Sequence, residues 1–266
     1  MLNEFEKLGV LDDILKAGYK NTEGLEFRTP YGGTDKVLAK IPPGRAPAGT
    51  IDYVVHLGQP KVASIIRKHA LACSNFRLEY NTRFENLKED KDGVVVEAKK
   101  KDGTSDFYKA QFVVGCDGAN SSVRKAVKIP FEGYSWEDFR FLAINIKYDF
   151  GKYGYPGASH VIDPQDWAVI GRAGPAEENL WRIACGIDPK IPVDEIPHHV
   201  PAKLEKLLPG PRPLQYELVA VSPYWAHEKV AKTYRAGRVV LCGDAAHVRA
   251  SFMTCQPRNL QAPLGE

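Results

Sequence analysis

No C-x-x-C pair occurs among the five cysteines, Cys73, Cys116, Cys185, Cys242 and Cys255, and their number is odd. That excludes a zinc ribbon and a disulfide framework and fits a reducing, intracellular compartment. Cys116 and Cys242 each end an apolar run, which predicts small buried hydrophobes. The charged, amphipathic start, Met1 to Gly18, has no apolar h-region, so no secretory signal is expected. No uninterrupted apolar run reaches the roughly 18 residues of a membrane span. The cytoplasm is the default location. The net charge is only +3 and no basic stripe or binding motif stands out, which argues against nucleic acid as a partner. His198, His199 and His247 form no metal constellation, and Ser121, Ser122 and Ser222 lack a G-x-S-x-G elbow. There is no internal repeat and no low-complexity tract.

What is present is an ordinary globular composition, 44% hydrophobic and 26% charged over 266 residues, enough for one large or two small domains. Leu2, Phe5, Leu8, Leu11, Ile14 and Leu15 recur at helical spacing, with Gly9 as a break and Gly18 as a stop. Residues 25–57 alternate short apolar pieces with Pro and Gly, predicting short strands and turns. Pro60 opens a helix to about Cys73. The run from Arg77 to Asp117 predicts strands with a hairpin at Asp102-Gly103, then a helix from Ala119 to Val127. Residues 138–187 predict an antiparallel sheet whose aromatic residues mostly pack the core or the sheet, while a few of them and of 214–225, not singled out by the sequence, line a pocket. A Pro-rich stretch frames a short helix at Ala202–Leu208, and a buried strand runs from Arg238 to Cys242. The pattern predicts an α/β fold in which residues 1–130 and 236–247 form one layer, 131–235 are an inserted sheet domain, and 248–266 are an atypical tail.

Two strand-to-turn junctions carry the chemistry. Val113-Val114-Gly115-Cys116-Asp117-Gly118-Ala119-Asn120-Ser121-Ser122-Val123-Arg124 and Val239-Val240-Leu241-Cys242-Gly243-Asp244-Ala245-Ala246-His247 each place an aspartate just beyond an apolar strand, beside small residues. In open α/β sheets that edge is where ligands bind. A carboxylate there accepts hydrogen bonds from sugar or ribityl hydroxyls, each contributing about 1.5–3 kcal/mol.

The first junction resembles the Asp-Gly motif of the FAD-dependent aromatic-ring hydroxylases, and the second resembles that family's Gly-Asp motif, in the same order and with a sheet domain between. The resemblance extends to Leu2–Gly18, similar to the helix after the family's first nucleotide-binding unit. It implies a partial FAD/NAD(P)-binding three-layer domain with an inserted antiparallel substrate domain. It also implies cofactor contacts from Gln59, Phe84 (through backbone, to adenine), Asp117, Gly118, Arg124, Gly243, Asp244 (to the ribityl chain) and Ala245. The activity implied is hydroxylation of a small aromatic substrate with NAD(P)H and O2, with the oxygen chemistry on FAD and no catalytic base assigned.

Two departures accompany the resemblance. No G-x-G-x-x-G occurs in these residues, and the stretch from Val248 to Arg258 does not continue as the family does. Both ends look cut, so a catalytically silent fragment is the first alternative, and a flavoprotein of the same fold with other redox chemistry the second. Substrate identity, NADH against NADPH, and oligomeric state stay open.

Overall fold

A computed structural model describes residues 1–31, 34–43, 51 and 53–249 of the protein. Helices α1 (Leu2–Lys7) and α2 (Leu11–Ala17) open the chain, separated at Gly9, whose φ of 68° ends the first turns. Strands β1 (Tyr19–Asn21), β2 (Leu25–Arg28), β3 (Val37–Ile41) and β4 (Val54–His56) follow, then helix α3 (Gln59–Leu71). Next come β5 (Thr82–Glu89), β6 (Val94–Lys100), β7 (Ser105–Ala110), β8 (Val113–Gly115) and the single-turn helix α4 (Ser122–Ala126). The middle holds β9 (Phe131–Lys147), β10 (Ala158–Val161), β11 (Ala168–Arg172), β12 (Leu180–Ile187), helix α5 (Ile196–Leu207) and β13 (Glu217–Ala231). The described chain closes with β14 (Arg235–Ala236), β15 (Val239–Leu241) and β16 (His247–Arg249). No helix among the described residues is long and apolar enough to cross a membrane.

The chain divides into two compact units, residues 1–76 with 138–224 and residues 77–137 with 225–249, and the long strands β9 and β13 run through both. This division differs from the expected one of 1–130 with 236–247 against 131–235. Backbone pairing is the reason. Strand β2 lies parallel to β10, with Glu26 opposite Ser159, and the Gly58 amide donates to the Ala173 carbonyl at 2.9 Å, so the N-terminal segment is tied to the middle sheet.

In the first unit the strands run in the order β13-β9-β12-β11-β10-β2-β3. The β9 to β12 stretch is antiparallel, as the alternation over 138–187 predicts. Leu142, Ile144 and Ile146 of β9 and Ile183 of β12 form one buried face. Against it lies α5, whose Ile196, Val200, Leu204 and Leu207 recur at helical spacing and are all buried. Helix α5 starts at Ile196, ahead of the Ala202 start expected from the prolines. Pro197 sits in the first turn, where no amide donor is needed, and the apolar stripe carries the helix through Pro201. Trp181 is wholly buried, with Phe150 at 4.9 Å on one side and the Arg172 guanidinium 4.4 Å from its ring centre.

The second unit contains two three-stranded sheets, β5-β6-β7 and β14-β15-β8. The first is an antiparallel meander whose β6–β7 turn is the Asp102-Gly103 hairpin. A separate core joins the second sheet to α4 through Val123, Ile129, Val239, Leu241 and Ala246.

Because Leu204 is fully buried between α5 and the sheet, Leu204→Ala should cost about 2–5 kcal/mol of unfolding free energy. A urea titration reads this as a lower midpoint, and an unchanged midpoint would show that α5 is not packed this way.

Candidate functional site

Strands β8 and β15 are hydrogen-bonded neighbours and run parallel, with Val239 opposite Val113 and Leu241 opposite Gly115. The ladder continues one step further, since the Cys242 amide donates to the Gly115 carbonyl at 2.9 Å. Both junctions picked out in the sequence therefore emerge at the same C-terminal edge of one parallel pair. Short apolar runs of this kind form buried parallel strands, and each ends where small residues allow a sharp turn. Gly118 and Gly243 take φ values of 82° and 58°, a region that other residues enter only with strain.

The two aspartates do different things. The Asp117 carboxylate turns back onto its own motif, accepting from the Ser122 amide at 2.7 Å, the Val123 amide at 3.1 Å and the Ser121 hydroxyl. Ser121 in turn accepts from the Arg124 amide at 2.9 Å, so two side chains satisfy the free donors at the start of α4. Burial pushes the Asp117 carboxyl up, but the bonds from Ser121 and the α4 amides outweigh it and hold it below the ordinary aspartate value. Asp244 lies in the turn Gly243–Ala245, is exposed, and takes no hydrogen bond from the described residues. It is the carboxylate of the pair that remains available to a ligand.

Arg124 joins the two turns. Its side chain is buried and donates to the Ala245 carbonyl at 2.8 Å and the Ala119 carbonyl at 2.7 Å, with the guanidinium 3.8 Å from the Phe131 ring centre. The sequence resemblance set Arg124 among cofactor contacts; the geometry makes it a clamp between the motif loops. Burial lowers its pKa, partly offset by Asp117.

Of the other expected residues, Phe84 sits at a bulge in β5 and packs its ring against the core of the second unit, leaving only its backbone for any contact. Gln59 belongs to the first unit, exposed at the start of α3 and just after Gly58, which caps the helix. Cys116 and Cys242 correct the sequence expectation: both are exposed, because the buried face of this pair takes Gly115, Val239 and Leu241, and the alternate residues face outward.

In the first unit a cavity of about 380 Å³ opens among β9, β12 and α5. Two aromatic residues of the 138–187 stretch, Phe139 and Trp167, line it with near-parallel rings 5.9 Å apart. Its charged rim is self-paired, with Asp166 bound to Lys203 at 3.2 Å and Lys206 at 3.0 Å.

The Asp117 cap has a pH signature. A carboxyl held low in the fold contributes stability above its unfolded value near 3.8, lost as pH falls through the lower folded value. Asp117→Asn keeps an acceptor and removes the charge. Acidification from pH 7 to 3 should thus cost the wild type more denaturant resistance than the variant. Equal losses would contradict the cap.

Comparison with known proteins assigns the family. The family model described as FAD binding domain matches residues 1–254. Para-nitrophenol 4-monooxygenase from a Pseudomonas species is 37% identical over 91% of this chain and 59% of its own length. The 6-hydroxy-3-succinoylpyridine 3-monooxygenase HspB of Pseudomonas putida is 32% identical over 93% of this chain and 61% of its own. The crystal structure of p-nitrophenol 4-monooxygenase PnpA from Pseudomonas putida superposes with a TM-score of 0.85 at 33% identity, covering 92% of this chain and 61% of that one. The chain thus spans about three fifths of the length of these relatives. With parallel acidic turns on one strand edge and a family match over nearly all its residues, the chain belongs to the FAD binding domain family.

Proposed function

We propose that the protein carrying this chain is an FAD-dependent monooxygenase that hydroxylates a small, electron-rich aromatic ring with NAD(P)H and O2. One observation carries this reading: a carboxylate that no described residue engages, Asp244, stands at the end of a parallel strand pair beside a second acidic turn that is structurally fixed. The monooxygenase names of the relatives support the reaction class.

The residues present fit the hydroxyl-rich part of FAD. Asp244 is exposed and free to accept from ribityl hydroxyls, and a side chain added at Gly243 would meet no atom within 4 Å, so the turn leaves open space for a ligand. When bound and reduced by NAD(P)H, FAD supplies the activation of oxygen. This chain's residues bind and orient. Asp244 and the turn Gly243–Ala245 hold the cofactor's polyol, Arg124 fixes the Ala245 carbonyl and hence the turn, and Asp117 fixes Gly118 and α4. Gln59 and the Phe84 backbone are further contacts on the strength of the family resemblance alone.

The direct test loads the protein with FAD, removes free cofactor, and follows NAD(P)H oxidation with a panel of phenols that includes para-nitrophenol. Retained flavin and a ring-oxygenated product are the expected result. No bound flavin at micromolar FAD, or oxidation without ring oxygenation across the panel, would overturn the reading. Within the same assay Asp244→Ala removes a charged acceptor contributing about 1.5–3 kcal/mol, so the FAD dissociation constant should rise roughly ten- to a hundredfold. Unchanged flavin content would refute its role.

A further inference from the structure

The same strand pair carries a feature that flavin binding does not use. Cys116 and Cys242 immediately follow the Gly115–Leu241 pair, just past the ends of two adjacent parallel strands. Both residues are exposed, on the sheet face that also shows Val114 at 56% exposure, while Val239 and Leu241 point to the opposite, buried face. The Cys242 amide donates to the Gly115 carbonyl at 2.9 Å, so the backbone pairing still holds at the step that carries the two cysteines. Neighbouring strands lie about 4.8 Å apart, and a disulfide spans Cα separations of roughly 4.4–6.8 Å. The other described cysteines lack this arrangement: Cys185 is fully buried with its thiol pushed up to about 12, and Cys73 lies in the other unit.

We propose that Cys116 and Cys242 form a dithiol modification site that closes to a disulfide when a peroxide oxidises it. One sulfur attacks the peroxide, its S–O bond forming as the O–O bond breaks and water leaves. The second sulfur then attacks this sulfenic sulfur, forming S–S, breaking S–O and releasing a second water. Two thiols and one hydrogen peroxide give one disulfide and two waters, the two electrons passing from sulfur to oxygen. The product staples the two strands that present Asp117 and Asp244. The attacking species is the thiolate, and because burial and then the neighbouring Cys242 raise the Cys116 pKa, closure is slow at neutral pH and quickens as pH rises.

The test treats the purified 266-residue chain with hydrogen peroxide, alkylates the remaining thiols, and maps the digest by mass spectrometry. The expected result is a peptide pair joining position 116 to 242, lighter by two hydrogens and released by reductant. One equivalent of phenylarsine oxide, which bridges nearby thiols, should protect both from alkylation without any mutation. In Cys242→Ser the cross-link should vanish while the thermal midpoint holds. Separate alkylation or separate over-oxidation of the two cysteines would overturn the proposal, as would a cross-link that persists in Cys242→Ser.

Discussion

The parallel pairing of β8 with β15 is the constraint on which the site depends. It joins segments far apart in sequence, with Arg124 and Ala245 separated by 121 residues yet hydrogen-bonded. Parallel strands require a crossover, and the pairing is stabilised only when a core covers one face. Here Val239 and Leu241 enter that core with Val123 of α4, so the packing that holds the strands together also orients the turns beyond them.

A division of labour follows between two similar acidic turns. Asp117 spends its charge on the amides of α4, which stabilises a helix too short to persist alone. Among the described residues none makes such a claim on Asp244. Arg124 couples the two, its buried guanidinium satisfied by carbonyls from both loops. Losing the clamp would leave those carbonyls unpaired, at about 1–3 kcal/mol each. A buried arginine bound to carbonyls is thus part of the scaffold, although sequence resemblance placed it among the ligand contacts.

Much of this was legible in the sequence because the signals are local. The β-branched runs before Gly115 and Gly243, the hairpin glycine and the break at Gly9 all act through their own φ or periodicity. The α5 start was missed because prolines that usually stop helices sit here in the first turn or are overridden by the Ile196–Leu207 stripe. The unit boundary was missed because the β2–β10 pairing is non-local and leaves no mark in either segment. The exposure of Cys116 and Cys242 depends on strand parity relative to a core that the sequence alone does not orient. Likewise, which aspartate caps and which stays free depends on where each loop turns, information carried by neither Asp-Gly nor Gly-Asp.

The central claim, that Asp244 is the carboxylate left for the cofactor, is tested most directly by a crystal structure of the protein with FAD bound. The account predicts an Asp244 oxygen at hydrogen-bond distance, about 2.7–2.8 Å, from a ribityl hydroxyl, with Asp117 still bound to the α4 amides. Flavin held elsewhere, or Asp117 released to the ribityl chain while Asp244 faces solvent, would contradict it.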